Sequence, residues 1–133
     1  MIIADANLIL YRHLNGPFTA KADVAVKRDP DWRTSPLWRS EFTSAVVKMI
    51  RAGVLDESDA LTAMATAAAE MVPREVEVPQ ERALRAALQF GISAYEAQYI
   101  ALAEMLGCRC VTADEPLARK TPAASLLLSD FVK

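Results

Sequence analysis

The period of the apolar positions changes along the chain, and each change marks an element. Ile2-Ile3-Ala4 is a short continuous apolar run closed by Asp5, and residues 6–11 continue with helical spacing, so the opening reads as strand, turn, helix. A second helix is predicted over residues 19–27. Asp29-Pro30-Asp31 breaks it, residues 32–35 can form a short strand, and Pro36 separates that strand from the next helix. This helix, about 37–52, has the clearest amphipathic pattern, with Trp38, Phe42, Ala45, Val46, Met49 and Ile50 on one stripe. Gly53 stops it, and the Ala-rich residues 56–71 read as its antiparallel hairpin partner. Between Pro73 and Pro79, residues 74–78 alternate like an exposed-edge strand. Helices at 80–90 and 93–106, ended by Gly91 and Gly107, precede a strand at 109–112, a short helix at 115–120 and a last strand at about 125–128.

Strands that alternate with helices predict a parallel sheet covered by helices on both faces. No internal repeat, linker or low-complexity tail interrupts the pattern, so residues 1–133 are read as one domain. Composition agrees: 53% hydrophobic and 24% charged residues describe a compact soluble chain, long enough to bury a core without disulfides or a structural zinc. No apolar run approaches the ~20 residues of a membrane span, and no basic segment followed by an apolar one opens the chain; a cytoplasmic protein without membrane contact is expected.

Charge narrows the chemistry. Fifteen Lys and Arg against 17 Asp and Glu give a net charge of -2, which excludes a global basic field for holding nucleic acid, so any nucleic-acid activity must be local. Cys108 and Cys110 lie two apart in a predicted strand, a poor geometry for a mutual disulfide and at most half a zinc site; buried structural thiols are expected. His13 is the only histidine, which excludes mechanisms needing a His pair, and it reads as a helix-surface residue.

The acidic residues carry the strongest signal. In a parallel sheet flanked by helices, strand C-terminal ends and helix N-terminal ends share the edge where ligands bind. Asp5 ends the first strand, Glu41 lies near the start of the helix after the second, Glu96 opens a helix, and Asp114 follows the strand ending at Thr112. The helix from Glu96 descends about 16 Å at ~1.5 Å per residue and the strand climbs back a comparable distance at ~3.3 Å per residue, so Glu96 and Asp114 can sit side by side. Each acid also has a local explanation. Asp5 and Asp114 could cap the helices that follow, and Ser93-Ala94-Tyr95-Glu96 matches a capping box. Glu41 lies on or beside the apolar stripe, where an unpaired carboxylate is costly. Four converging carboxylates repel unless cations neutralise them, and an all-oxygen donor set selects Mg²⁺ or Mn²⁺ over zinc or copper, which points to phosphate chemistry.

Four ordered motifs carry a family likeness: Ile2-Ile3-Ala4-Asp5-Ala6-Asn7, Trp38-Arg39-Ser40-Glu41-Phe42, the run from Ser93 through Tyr95-Glu96-Ala97 to Ala103, and Val111-Thr112-Ala113-Asp114. Their order and spacing resemble a PIN-domain protein of the VapC toxin type, over essentially the whole chain. The resemblance implies an α/β three-layer fold with a mostly parallel five-stranded sheet and a helical hairpin, an Mg²⁺- or Mn²⁺-dependent endoribonuclease, a homodimer, and a cognate antitoxin that blocks the site. It implies Asp5, Glu41, Glu96 and Asp114 as catalytic and metal-binding acids, with Asn7 and Thr112 as the polar neighbours that order them. DNA would be met only through the antitoxin. The sequence departs from the family at one point, carrying Glu96 where Asp is usual.

Arg39 and Arg12 are the basic residues nearest these acids in sequence and are candidates for gripping substrate phosphate, although solvated helix arginines would look the same. Part of the apolar 37–71 hairpin is a candidate partner surface, with core packing as the plain alternative. Two other readings compete: a PIN-like scaffold with little catalysis, acting through its antitoxin and DNA, and a receiver-type signalling domain. Against the second, Asp5 stands alone after the first strand, and no acid closes residues 74–78.

Overall fold

The chain turns at Asp5 from its first strand into its first helix, and that turn sets the layout of everything after it. A computed structural model describes residues 1–133. Strand β1 (Ile2–Ala4) leads into α1 (Ala6–His13) and α2 (Thr19–Arg28); β2 (Trp32–Arg33) leads into the hairpin α3 (Trp38–Arg51) and α4 (Glu57–Met71). After α5 (Gln80–Phe90) and α6 (Ala94–Leu106) come β3 (Arg109–Thr112), α7 (Glu115–Lys120), β4 (Ser125–Leu127) and a last turn of helix, α8 (Leu128–Phe131). Gly91 and Gly107 end α5 and α6 at φ 63° and 65°, the left-handed conformation in which a side chain would be strained.

The strands form one parallel sheet in the order β2-β1-β3-β4, with Ile3 opposite Cys110 and Val111 opposite Leu126. Side chains of β1 alternate between two cores, as a pleated strand requires. Ile2 and Ala4 join Leu8, Ile9, Trp32, Trp38, Phe42, Val46 and Met71 under α1 to α4, whereas Ile3 joins Ile100, Leu102, Cys110 and Leu117 under α5 to α7. Helices on both faces of a parallel sheet give the three layers expected. Trp38 and Phe42 meet edge to face at 5.6 Å and anchor α3 beside the sheet.

Three expectations need correction. The sheet has four strands, not five: residues 74–78 contribute only a bridge between Thr34 and Glu75, after a 3₁₀ turn at Val72–Arg74. Pro73 and Pro79 supply no N–H donors and confine pairing to the residues between them, and there only the Thr34 and Val76 amides donate, to Arg74 and Thr34. The last strand stops at Leu127, because Leu128 turns inward to begin α8. His13 is not on the surface: its side chain is 6% exposed, because α4 packs across α1 and sets Glu70 3.3 Å from the ring. Burial lowers the His13 pKa, with the Glu70 charge opposing it. Cys110 is buried and Cys108 half-buried, and neither forms a disulfide. No helix is long and apolar enough to cross a membrane.

Candidate active site

At the C-terminal edge of the sheet, β1 and β3 deliver Asp5 and Asp114 side by side. Asp5 caps α1, its Oδ1 accepting from the Leu8 N–H at 2.8 Å, while its Oδ2 accepts from the Thr112 hydroxyl at 2.7 Å. Thr112 Oγ1 in turn accepts from the Asp114 N–H at 3.1 Å, and Asp114 caps α7 by accepting from the Leu117 N–H at 3.0 Å. Thr112 is fully buried and ties the two acids to one another. Capping and site-building are therefore compatible. The cap occupies one oxygen of Asp114, and the hydrogen bonds of the protein leave its Oδ2 without a donor.

Glu41 comes from the first turn of α3, and its Oε1 accepts from the Tyr99 hydroxyl at 2.6 Å. Tyr99 is almost fully buried on α6; burial and then the bond to Glu41 push its pKa up, so the phenol keeps its proton and acts as the donor. This resolves the cost of a carboxylate next to an apolar stripe. Glu96 closes a capping box, with the Ser93 N–H donating to its Oε1 at 3.0 Å and its own N–H donating to Ser93 Oγ at 3.0 Å.

All four acids line one cleft of about 320 Å³, together with Asn7, Ser44, Lys48 and Tyr99. Asp5 is pushed up to about 6, first by burial and further by the charges of Glu41 and Asp114, against the opposing bonds from Thr112 and Leu8. Glu96 is turned back on Ser93. The donors are the hard oxygens that suit a magnesium-like cation. As they stand, no three of them close into a group that would hold a metal ion.

The two arginines nearest these acids in sequence do not line the cleft. Arg39 is engaged by Glu75, through Nε at 2.6 Å and Nη2 at 2.5 Å, and Glu75 also accepts from the Trp38 indole at 2.9 Å. Arg12 donates to Glu70 at 2.8 Å and lies 3.8 Å from Asp23. Arg39→Ala is accordingly expected to lower the melting temperature, by freeing Glu75; an unchanged melting temperature would show that the pair adds nothing to the fold. Sequence reasoning missed Tyr99, Ser44 and Lys48. The signal is present for the last two, since residues 41, 44, 45 and 48 share one helical face, whereas nothing local marks Tyr99.

Comparison with known proteins places this geometry. The PIN domain family model matches residues 2–121. Ribonuclease VapC3 of Pyrobaculum aerophilum is 30% identical over 126 residues, spanning 92% of this chain and 95% of that protein. The crystal structure of PAE2754 from Pyrobaculum aerophilum superposes with a TM-score of 0.78 at 23% identity, covering 98% of this chain and 92% of that one. A family model over nine-tenths of the chain, a full-length relative and a shared fold converge, and the chain belongs to the PIN-domain family, as a member of the VapC type.

Proposed function

We propose that this protein is a divalent-cation-dependent endoribonuclease and the toxin of a type II toxin-antitoxin pair. The observation that carries the reading is the convergence of Asp5, Glu41 and Asp114 on one cleft, closely enough that the last two raise the pKa of the first. The similarity to a protein named as a ribonuclease supplies the substrate class.

Asp5, Glu41, Glu96 and Asp114 are the catalytic acids and the ligands for Mg²⁺ or Mn²⁺, Glu96 through the oxygen that the Ser93 N–H does not engage. Bound there, the cation would offset the carboxylate charges and those of the phosphodiester, and help to acidify a water. Thr112 fixes the spacing of Asp5 and Asp114 through its two hydrogen bonds, and Asn7 presents its amide at the rim of the cleft. Glu41, oriented by Tyr99, positions the attacking water with its remaining oxygen and takes up its proton. Water attacks phosphorus in line, the P–O3′ bond breaks, and the products carry a 5′-phosphate and a 3′-hydroxyl. The ribose 2′-hydroxyl has no part in this route, so no cyclic phosphate forms.

Residues 1–133 act as one domain in the cytoplasm, pairing with a second copy and with an antitoxin through which DNA is reached. One observation favours a weaker enzyme that acts mainly as a scaffold: Glu96 is committed to its capping box. Incubating purified total RNA with Mg²⁺, Mn²⁺ or EDTA and mapping product ends decides between them. Cation-dependent cuts bearing 5′-phosphates are expected; cyclic phosphate ends would refute the mechanism, and intact RNA with all cations would favour the scaffold.

A further inference from the structure

The cleft lines four carboxylates with a single cationic side chain, Lys48. A chain of net charge -2 has no general attraction for a polyanion, and an acid-lined cleft repels one, so affinity for RNA must come from cations placed locally. Arg39 and Arg12 are held by Glu75 and Glu70 and lie outside the cleft. Lys48 is exposed and forms no ion pair.

Its position on α3 fits a particular task. Lys48 lies seven residues after Glu41 on the same helical face, about 10 Å further along the axis at ~1.5 Å per residue. Glu41 and Lys48 are thus not neighbours at the i,i+4 spacing that would let them pair. Ser44, between them on the same face, also lines the cleft and has no hydrogen-bond partner of its own. A compact ammonium on a flexible stem, with a free hydroxyl beside it, suits a phosphate oxygen and lacks the planar fork with which arginine grips two acceptors at once.

We propose that Lys48 binds the phosphate flanking the scissile one, and so forms a backbone subsite that holds the RNA strand along α3. The inference rests on the ribonuclease reading above. One lysine makes this a minimal contact: the strand is gripped at a single phosphate without regard to sequence, and its affinity falls only gently as salt rises.

The test compares wild type, Lys48→Gln and Lys48→Arg on a labelled single-stranded oligoribonucleotide of mixed sequence, in Mn²⁺, between low and moderate KCl. Cleavage gives KM and kcat, and anisotropy gives Kd directly. Lys48→Gln is expected to raise KM and Kd about 5- to 20-fold, more than it lowers kcat, and to flatten the slope of log Kd against log salt by about 0.7, the value for one contact to a single strand. Lys48→Arg should restore both, and neither variant should change the melting temperature. Wild-type cleavage with an unchanged Kd and slope in Lys48→Gln would overturn the subsite while leaving the nuclease intact. A fall in kcat at constant KM would overturn it too, moving Lys48 to the chemical step. Wild type that neither binds nor cuts RNA would overturn the subsite and the ribonuclease reading together.

Discussion

Asp5→Asn is expected to remove RNA cleavage by at least about 100-fold while making the metal-free protein more stable at pH 7. The two effects have one origin. Asp5 has a pKa near 6 in the fold against an ordinary value of 3.8, because its burial and the charges of Glu41 and Asp114 oppose ionisation. A raised native pKa means that the protonated group favours the folded state: this contribution is complete below about pH 4, and it is lost as pH rises through about 6. The difference corresponds to roughly 3 kcal/mol at about 1.4 kcal/mol per tenfold in proton affinity, so the ionised side chain destabilises the empty site at neutral pH. Asparagine carries no charge and caps a helix as well as aspartate does, so the Leu8 N–H keeps its acceptor. Thermal melts in EDTA should show the variant about 3 to 10 °C higher at pH 7, with the advantage shrinking below pH 6 and gone by about pH 4. A variant that melts lower than wild type at pH 7 would mean that the bond from Thr112 to the ionised carboxylate outweighs the strain of burying it.

Chelation is expected to have the larger effect on activity, bringing cleavage down at least about 1,000-fold, with recovery on adding Mg²⁺ or Mn²⁺. A stability readout separates binding from turnover. Three like charges at one cleft destabilise the empty protein, and any ligand that binds only the folded state raises stability by mass action, about 2.7 kcal/mol at 100 times its dissociation constant. Mn²⁺ should therefore raise the melting temperature of wild type. Asp114→Asn, which retains the α7 cap, should lose most of that rise. Equal rises in both proteins would place the cation elsewhere. Cleavage undiminished in EDTA would exclude the proposed chemistry.

Much of this architecture is legible from local signals. The apolar run closed by Asp5, the glycines after α5 and α6, and the pattern Val111-Thr112-Ala113-Asp114 before Pro116 each act over a few residues, and the structure places β1, α1, α5, α6, β3 and α7 where they predict. The convergence of the acids also follows from strand direction alone, once the sheet is parallel. What the chain conceals depends on partners distant in sequence. Tyr99 reads as core because α6 is apolar almost all round; only its meeting with Glu41, fifty-eight positions away, gives it another task. Arg39 reads as a free cation until Glu75 arrives from beyond the hairpin. His13 reads as surface because nothing local announces that α4 will cover it. Residues 74–78 show the opposite failure, an alternation suited to a strand that the flanking prolines reduce to a bridge.

The burial of α6 bears on how genetic data for this protein should be interpreted. Ala97, Ile100, Ala101, Leu102 and Ala103 are each at most 2% exposed, packed between the sheet and α5, where a larger side chain would overpack the core. A selection for clones that survive expression of the active protein will therefore recover two kinds of escape. Changes at the small residues of α6 silence the protein by removing it, and those clones contain little soluble product. On the proposed function, changes at Asp5, Glu41 or Asp114 are expected to leave abundant, well-folded material without activity. Sequencing alone would score both kinds simply as loss of activity, and an immunoblot of the soluble fraction resolves them.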